Sequence, residues 1–265
     1  MNSIILIPAR YQSSRYPGKP LVELKGAKGA LKPLIQRSVE AARRVPGVSG
    51  VFVTTDDERI AKACSHFGVG VIMTSPECRN GTERCAEALH SLHEPDLVIN
   101  FQGDALLTPA GFVEALIKRM HDDREAMVAT PAVRLRSDEL RSLQAEEAAG
   151  RVGGTSVVTD ARGHALYFSK RLIPHLPVGA LDRELSPVRL HVGVYAYRSQ
   201  ALERYAATPV SELEMLEGLE QLRFLVAGVP MAVVEVETPP FALRELNNPE
   251  DVAPIEQALA QAGIE

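Results

Sequence analysis

Short apolar, largely β-branched runs recur along the first part of the chain, at residues 4–7, 51–53, 69–73 and 97–101. Between them, residues 34–44 and 83–92 carry apolar side chains at helical spacing. Runs of that length predict strands, and the amphipathic stretches predict helices. Regular alternation of the two implies parallel strands with right-handed crossovers, hence a doubly wound α/β sheet with ligands at the carboxyl ends of its strands. The turns after Pro8, Thr55 and Gln102 fall at such ends. Residues 135–154, rich in Glu, Ala and Gly, read as a surface excursion between two halves. Beyond them, residues 155–160 and 164–169 form a hairpin pattern around the turn 161–163, and residues 190–197 alternate as a strand. Ser211 is placed to cap one helix running through Leu213, Leu216, Leu219, Leu222 and Leu225, a single apolar stripe.

Length and charge narrow the picture. A chain of 265 residues can bury the core of one large α/β domain without staples. Cys64, Cys78 and Cys85 are odd in number and fit no metal or disulfide spacing, so a reducing cytoplasm is expected. The first apolar run, ended by Pro8, is far shorter than the ~20 residues that span a bilayer, so a soluble, unexported protein is expected. The net charge is -5, without the broad basic face that a nucleic acid requires. Yet residues 1–21 contain Arg10, Arg15 and Lys19 and no acid. A strand, a proline stop, three cations and Gly18 in that order suit a triphosphate; the alternative is a solvated basic loop. No Ser/His/Asp or Cys/His grouping is evident.

The segments PAR, SSR and PGKPL, then TDDERI from Thr55, NGTERCAEAL from Asn80, NFQGD from Asn100, HALYFSKRLIP from His164, HVGVYAYR from His191 and LEQLRFL from Leu219, resemble the 3-deoxy-manno-octulosonate (Kdo) cytidylyltransferases in the same order over nearly the whole chain. The resemblance implies a Rossmann-like nucleotidyltransferase fold, one domain over residues 1–265, with a CTP-binding half at 1–135 and a smaller α+β acceptor and dimerisation lobe at 155–230. It implies CMP transfer from CTP to Kdo, with Mg2+ as cofactor, and a homodimer. Arg10 and Lys19 match the triphosphate contacts, with Ala9, Ser13 and Ser14 beside them. Gly81, Thr82 and Arg84 match the segment that reads cytosine, although Asn80-Gly81 also reads as a turn and Thr82 as a helix cap. Asp56 and Asp57 suit either the ribose or a helix cap. Asp104, following a strand and a glycine, is the leading catalytic carboxylate and metal ligand. Arg15, Gln102, His191, Tyr195, Glu220 and Gln221 match acceptor-side positions.

Departures from that pattern cluster around the metal and the acceptor. Ala105, Leu106 and Leu107 stand where an acid and a proline usually follow QGD. Asn247 stands before PED where the family carries a second metal-binding aspartate; its amide oxygen can bind magnesium but brings no charge. Ser156 replaces a lysine, Gly153-Gly154 is unusual, and Tyr16 occupies a position more often Leu or Phe. CTP use is therefore a firmer expectation than Kdo use. Competing acceptors are 8-amino-Kdo, a nonulosonic acid, or a small phosphonate such as phosphonoformate held by Arg15 or Arg198. A non-catalytic nucleotide-binding module is the reading of a different class.

Overall fold

A computed structural model describes residues 2–13, 15–177 and 184–265. In chain order the first half runs β1 (Ser3–Pro8), the short hairpin β2 (Glu23–Lys25) and β3 (Leu31–Pro33), α1 (Leu34–Ala42), β4 (Gly50–Thr55), α2 (Glu58–His66), β5 (Gly70–Met73), α3 (Gly81–Ala88), β6 (Leu97–Phe101) and α4 (Ala110–Asp122). The second half runs β7 (Val128–Arg136), α5 (Ser137–Ala148), β8 (Ser156–Thr159), β9 (Ala165–Ser169), β10 (Leu185–His191), β11 (Val194–Tyr197), α6 (Ser199–Ala207), α7 (Glu212–Glu217), α8 (Leu222–Val226), β12 (Met231–Val236) and α9 (Val252–Gln261). Apart from the β2–β3 hairpin, the strands join one mixed sheet in the order β5-β4-β1-β6-β11-β7-β10-β8-β9, with β12 alongside β7. The block β5-β4-β1-β6 is parallel, and β11 then attaches antiparallel to both β6 and β7.

Side chains alternate across a strand, so each strand supplies two cores. From β1 and β6, Ile5, Ile7, Ile99 and Phe101 pack toward α1, α2 and α4 through Val39, Ile60 and Val113. Ile4, Leu6 and Val98 face the other way, against Cys85 of α3, Leu202 of α6 and Phe224 of α8. Strands covered on both faces must be apolar throughout, which is why β1 is buried along its whole length. A third cluster joins Leu106 and Leu107 to Leu24, Leu34, Leu246 and the α9 residues Ile255 and Leu259. The apolar loop after Asp104 is thus a packing surface for the C-terminal segment.

Three elements differ from the sequence reading. Residues 190–197 are two strands, because the Val194 N–H donates to the Val192 carbonyl (2.7 Å), a tight turn that interrupts the ladder. Pairing with β7 shifts by two residues across that turn, from His191 opposite Ala132 to Ala196 opposite Ala129. An even shift preserves the face, so His191, Tyr195 and Tyr197 still stack in one row, with centroid separations of 5.4 and 5.7 Å. The helix from Ser211 is likewise two: Ser211 caps α7 through the Glu214 N–H, but Gly218 at φ 59° ends it, and Glu220 and Gln221 fall in the connection before α8. Residues 135–154 do lie largely on the surface, but as regular structure, the end of β7 followed by α5, anchored by buried Leu135 and Leu140 against Val188.

Gly218 holds the left-handed conformation that stops α7, and an added Cβ would lie 2.8 Å from Lys170 Nζ. Gly218→Ala is expected to destabilise the protein by about 1–2 kcal/mol, the penalty of left-handed backbone for an L-residue. Urea unfolding checks this; an unchanged midpoint would show that the helix break is set elsewhere.

Candidate active site

The ends of β1 and β6 meet where the chain has no room for a side chain: a Cβ at Gly103 would stand 2.7 Å from the Pro8 carbonyl oxygen. This contact places Asp104 beside the loop that leaves β1. Lys19 Nζ lies 2.6 Å from Asp104 Oδ2. Arg15 Nη2 donates to Asn247 Oδ1 (2.8 Å), drawing in the segment before α9. Arg10 is exposed and makes no hydrogen bond to another described residue. The buried Ala9 donates its N–H to the Thr54 carbonyl (2.9 Å), and Ser13 Oγ accepts from the Tyr16 N–H (3.3 Å), so both shape the loop. The Arg59 guanidinium, paired with Asp57, sits 3.3 Å over the Tyr11 ring and ties the loop to α2. Ser14 lies outside the described residues.

Glu245 joins this cluster although no motif marked it. The Asp104 charge is the largest influence raising its carboxyl, to about 7; desolvation adds, while Lys19, a hydrogen bond from Asn247, and Arg15 act in the opposite direction. No group of three His, Cys, Asp or Glu side chains suited to a metal occurs among the described residues. Magnesium commonly takes only one or two protein carboxylates, with phosphates and water completing its shell. The hard carboxylate oxygens of Asp104 and Glu245 therefore fit that ion.

The base side is built on the first turn of α3. Its cap is Asn80, which accepts from the Glu83 N–H (2.8 Å); Thr82 is inside the helix, its hydroxyl 2.9 Å from that of Tyr197. The Thr82 N–H donates to Glu220 Oε2 (3.0 Å). Gly81 lies against the Gln102 and Asn100 amides. Arg84 is buried, its guanidinium engaged by Thr74 and, at 3.3 Å, by Asp56. Asp57 is the cap of α2.

Glu220 links the segment expected to read the base to the residues expected at the acceptor, because its other oxygen accepts from Gln102 Nε2 (3.2 Å). Burial raises the Glu220 carboxyl, and the hydrogen bonds from Thr82 and Gln102 oppose this. The Thr130 hydroxyl donates to the Val194 carbonyl (2.8 Å), which leaves His191 Nε2–H as donor to Thr130 (2.8 Å) and Nδ1 as an acceptor. Burial lowers His191 to about 3, so the ring is neutral. Tyr195 stacks beside it, and Gln221 is buried with Nε2 unpartnered, as are both amide atoms of Asn100. Behind them Arg223, 1% exposed, grips Glu214 (2.6 Å) and Glu83 (3.0 Å) and covers the Tyr205 ring. Tyr205 accepts from Asn80 Nδ2 (2.9 Å) and donates to the Glu220 carbonyl (3.2 Å), locking α3 to the connection that carries Glu220. Arg198 is withdrawn from any pocket: it donates to the carbonyls of Ala126 and Met120, both at 2.9 Å.

Residues 4–235 match the family described as Cytidylyltransferase. The chain is 38% identical over 264 residues, 99% of both sequences, to a 3-deoxy-manno-octulosonate cytidylyltransferase of Maricaulis maris. It is 38% identical over 264 residues, 98% of this chain and 99% of the other, to an 8-amino-3,8-dideoxy-manno-octulosonate cytidylyltransferase of Shewanella baltica. A solved CMP:2-keto-3-deoxy-manno-octonic acid synthetase complexed with CTP superposes with a TM-score of 0.83 at 37% identity, covering 99% of this chain and 100% of that one. A strand-end cluster of cations and carboxylates, the shared sheet and these near full-length likenesses lead to one assignment: the chain belongs to the cytidylyltransferase family.

Proposed function

We propose that the protein transfers CMP from CTP to the hydroxyl of an anionic sugar acid, 3-deoxy-manno-octulosonate, releasing pyrophosphate. The observation that carries this is the Lys19–Asp104 contact at 2.6 Å, with Gln102, two residues before Asp104, hydrogen-bonded to Glu220. The bond from the acceptor oxygen to the α-phosphorus forms as the bond to the pyrophosphate oxygen breaks, and the acceptor hydroxyl gives up its proton to solvent water. Arg10 and Lys19 neutralise the triphosphate and the charge that develops on the leaving group. Gly81 and Thr82 orient the cytosine. Asp104 and an oxygen of the neighbouring segment before α9 would hold Mg2+, which when bound would supply further charge neutralisation at the phosphates. Neutral His191 offers Nδ1 to an acceptor hydroxyl, and Glu220 accepts a second. The withdrawn position of Arg198 weakens the phosphonate alternative, and the carboxylate of Glu245 removes the motive for a non-catalytic module.

The Maricaulis and Shewanella relatives are equally similar, so identity does not separate Kdo from its 8-amino analogue. A homodimer is supported by α7, where Leu213, Met215 and Leu216 are exposed, the last at 76%. Cys64, Cys78 and Cys85 are free thiols, in keeping with a reducing compartment. No helix among the described residues is long and apolar enough to cross a membrane.

Pyrophosphate release from CTP and Mg2+ across Kdo, 8-amino-Kdo, nonulosonic acids and phosphonates, with mass detection of the product, tests the reading. Turnover of Kdo is expected; CTP binding without turnover of any acceptor would sink it. Asp104→Asn should lower turnover about 10²–10³-fold with the fold intact, the scale of one lost electrostatic stabiliser. Leu216→Glu should shift the protein to monomer in light scattering, and an unchanged mass would move the interface off α7. His191 is held well below the ~6.5 of an unfolded chain. The unfolded state therefore binds the extra proton, and the His191 contribution is complete above about pH 6.5 and lost as pH falls toward 3. His191→Gln should flatten that acid branch of stability in urea unfolding; parallel curves for variant and wild type would count against the neutral histidine.

A further inference from the structure

We infer that Glu245, rather than Asn247, is the second protein ligand that completes the divalent-cation site with Asp104. The inference rests on the proposed transfer reaction. Asn247 occupies the position where the resemblance calls for a metal-binding carboxylate, but its amide oxygen already accepts from Arg15 Nη2 (2.8 Å). Asp104 also meets a cation, Lys19, but only through Oδ2, whereas Asn247 has one side-chain oxygen, neutral and already taken by Arg15. Its amide nitrogen donates to Glu245, so Asn247 spans a cation and an anion and acts as an orienting amide.

Glu245 has the charge and the position that Asn247 lacks. Its residue is exposed to the open site, and Oε1 approaches Gly193 to 3.5 Å of where a Cβ would stand, next to the Gln102 side chain at 3.8 Å from the same point. Gln102 lies two residues before Asp104 on the same strand end, and Asp104 is the strongest charge acting on Glu245. Packing fixes the relation between the two segments. Leu246, fully buried, shares a cluster with Leu106 and Leu107, both 2% exposed, which follow Asp104 directly after Ala105. The backbone beyond it is pinned where the Asn247 and Asn248 N–H groups donate to Asp251 Oδ2 at 2.9 and 2.7 Å. The two oddities of the sequence, an apolar loop after QGD and an amide before PED, are therefore one construction. The loop binds Leu246, and Leu246 presents the carboxylate beside it, so the site keeps two acids.

Mn2+ alone, titrated into the free enzyme and followed by EPR, tests this, with melting temperatures confirming that each variant is folded. Glu245→Gln should weaken Mn2+ binding about tenfold or more. Adding Asn247→Asp to that variant should restore most of the loss, because it returns a carboxylate to the pair. The same order should appear in the Mg2+ concentration needed for half-maximal turnover. Wild-type binding by Glu245→Gln, or a loss on Asn247→Ala that exceeds the loss on Glu245→Gln, overturns the assignment. Asp104→Asn separates the two levels: if it loses Mn2+ while Glu245→Gln does not, only Glu245 is wrong, and if it binds as well as wild type the proposed metal chemistry itself fails.

Discussion

The backbone of Gly103 pressed against the carbonyl of Pro8 is the contact on which the rest of the site depends. Two parallel strands end side by side, and only a residue without a side chain lets their ends close up. Everything reactive follows from that distance. The loop leaving β1 brings Lys19 to Asp104, the turn leaving β6 carries Gln102 and Asp104, and α3 closes the third side through Thr82 and Glu220. An added methyl at residue 103 would separate cation from carboxylate before it disturbed any core residue.

Charge in the site is arranged in matched pairs. Lys19 faces Asp104, Arg15 faces Asn247 and through it Glu245, and Arg223 is sandwiched between Glu214 and Glu83. The buried Arg223 group is the costliest to disturb, since removing one member would leave an uncompensated charge in the interior. The Lys19–Asp104 pair keeps 19% and 16% of its side-chain surface exposed, so breaking it leaves charges that water can reach and costs less. That difference separates scaffold from working groups. It also explains how a protein of net charge -5 can present a local grip for a polyanion.

How far the sequence could be read depends on where each signal lies. The strands of the parallel block were legible because burial on both faces demands continuous apolar runs, and residues 97–101 emerge unchanged as β6. The basic loop after β1 was legible because its cations stand out in an acidic chain. The breaks were not. Leucine spacing from 213 to 225 suits one helix, but a single glycine conformation cuts it, and Leu213 and Leu216 end on the surface while Leu222 is buried. The turn at Val192 leaves the alternation of 190–197 intact because the register shift is even. Asn80 rather than Thr82 caps α3, a choice between adjacent polar residues that only backbone geometry makes. Glu245 belongs to no motif, and its relevance arises from Leu246 packing against a loop far away in sequence.

The acceptor side owes its selectivity to what is buried and not yet satisfied. His191 is neutral, Glu220 is desolvated, and the amides of Asn100 and Gln221 have atoms without partners. A buried polar atom left unpaired costs about 1–3 kcal/mol, so on the proposed reading a site built to hydrogen-bond discriminates far more strongly than an apolar pocket of the same shape. Because Glu220 bonds Thr82 and Gln102 at once, a sugar that draws Gln102 away also alters the contact at the base side. On the proposed reading, recognition of acceptor and nucleotide is therefore joined through one carboxylate, held by the Arg223 and Tyr205 framework behind it.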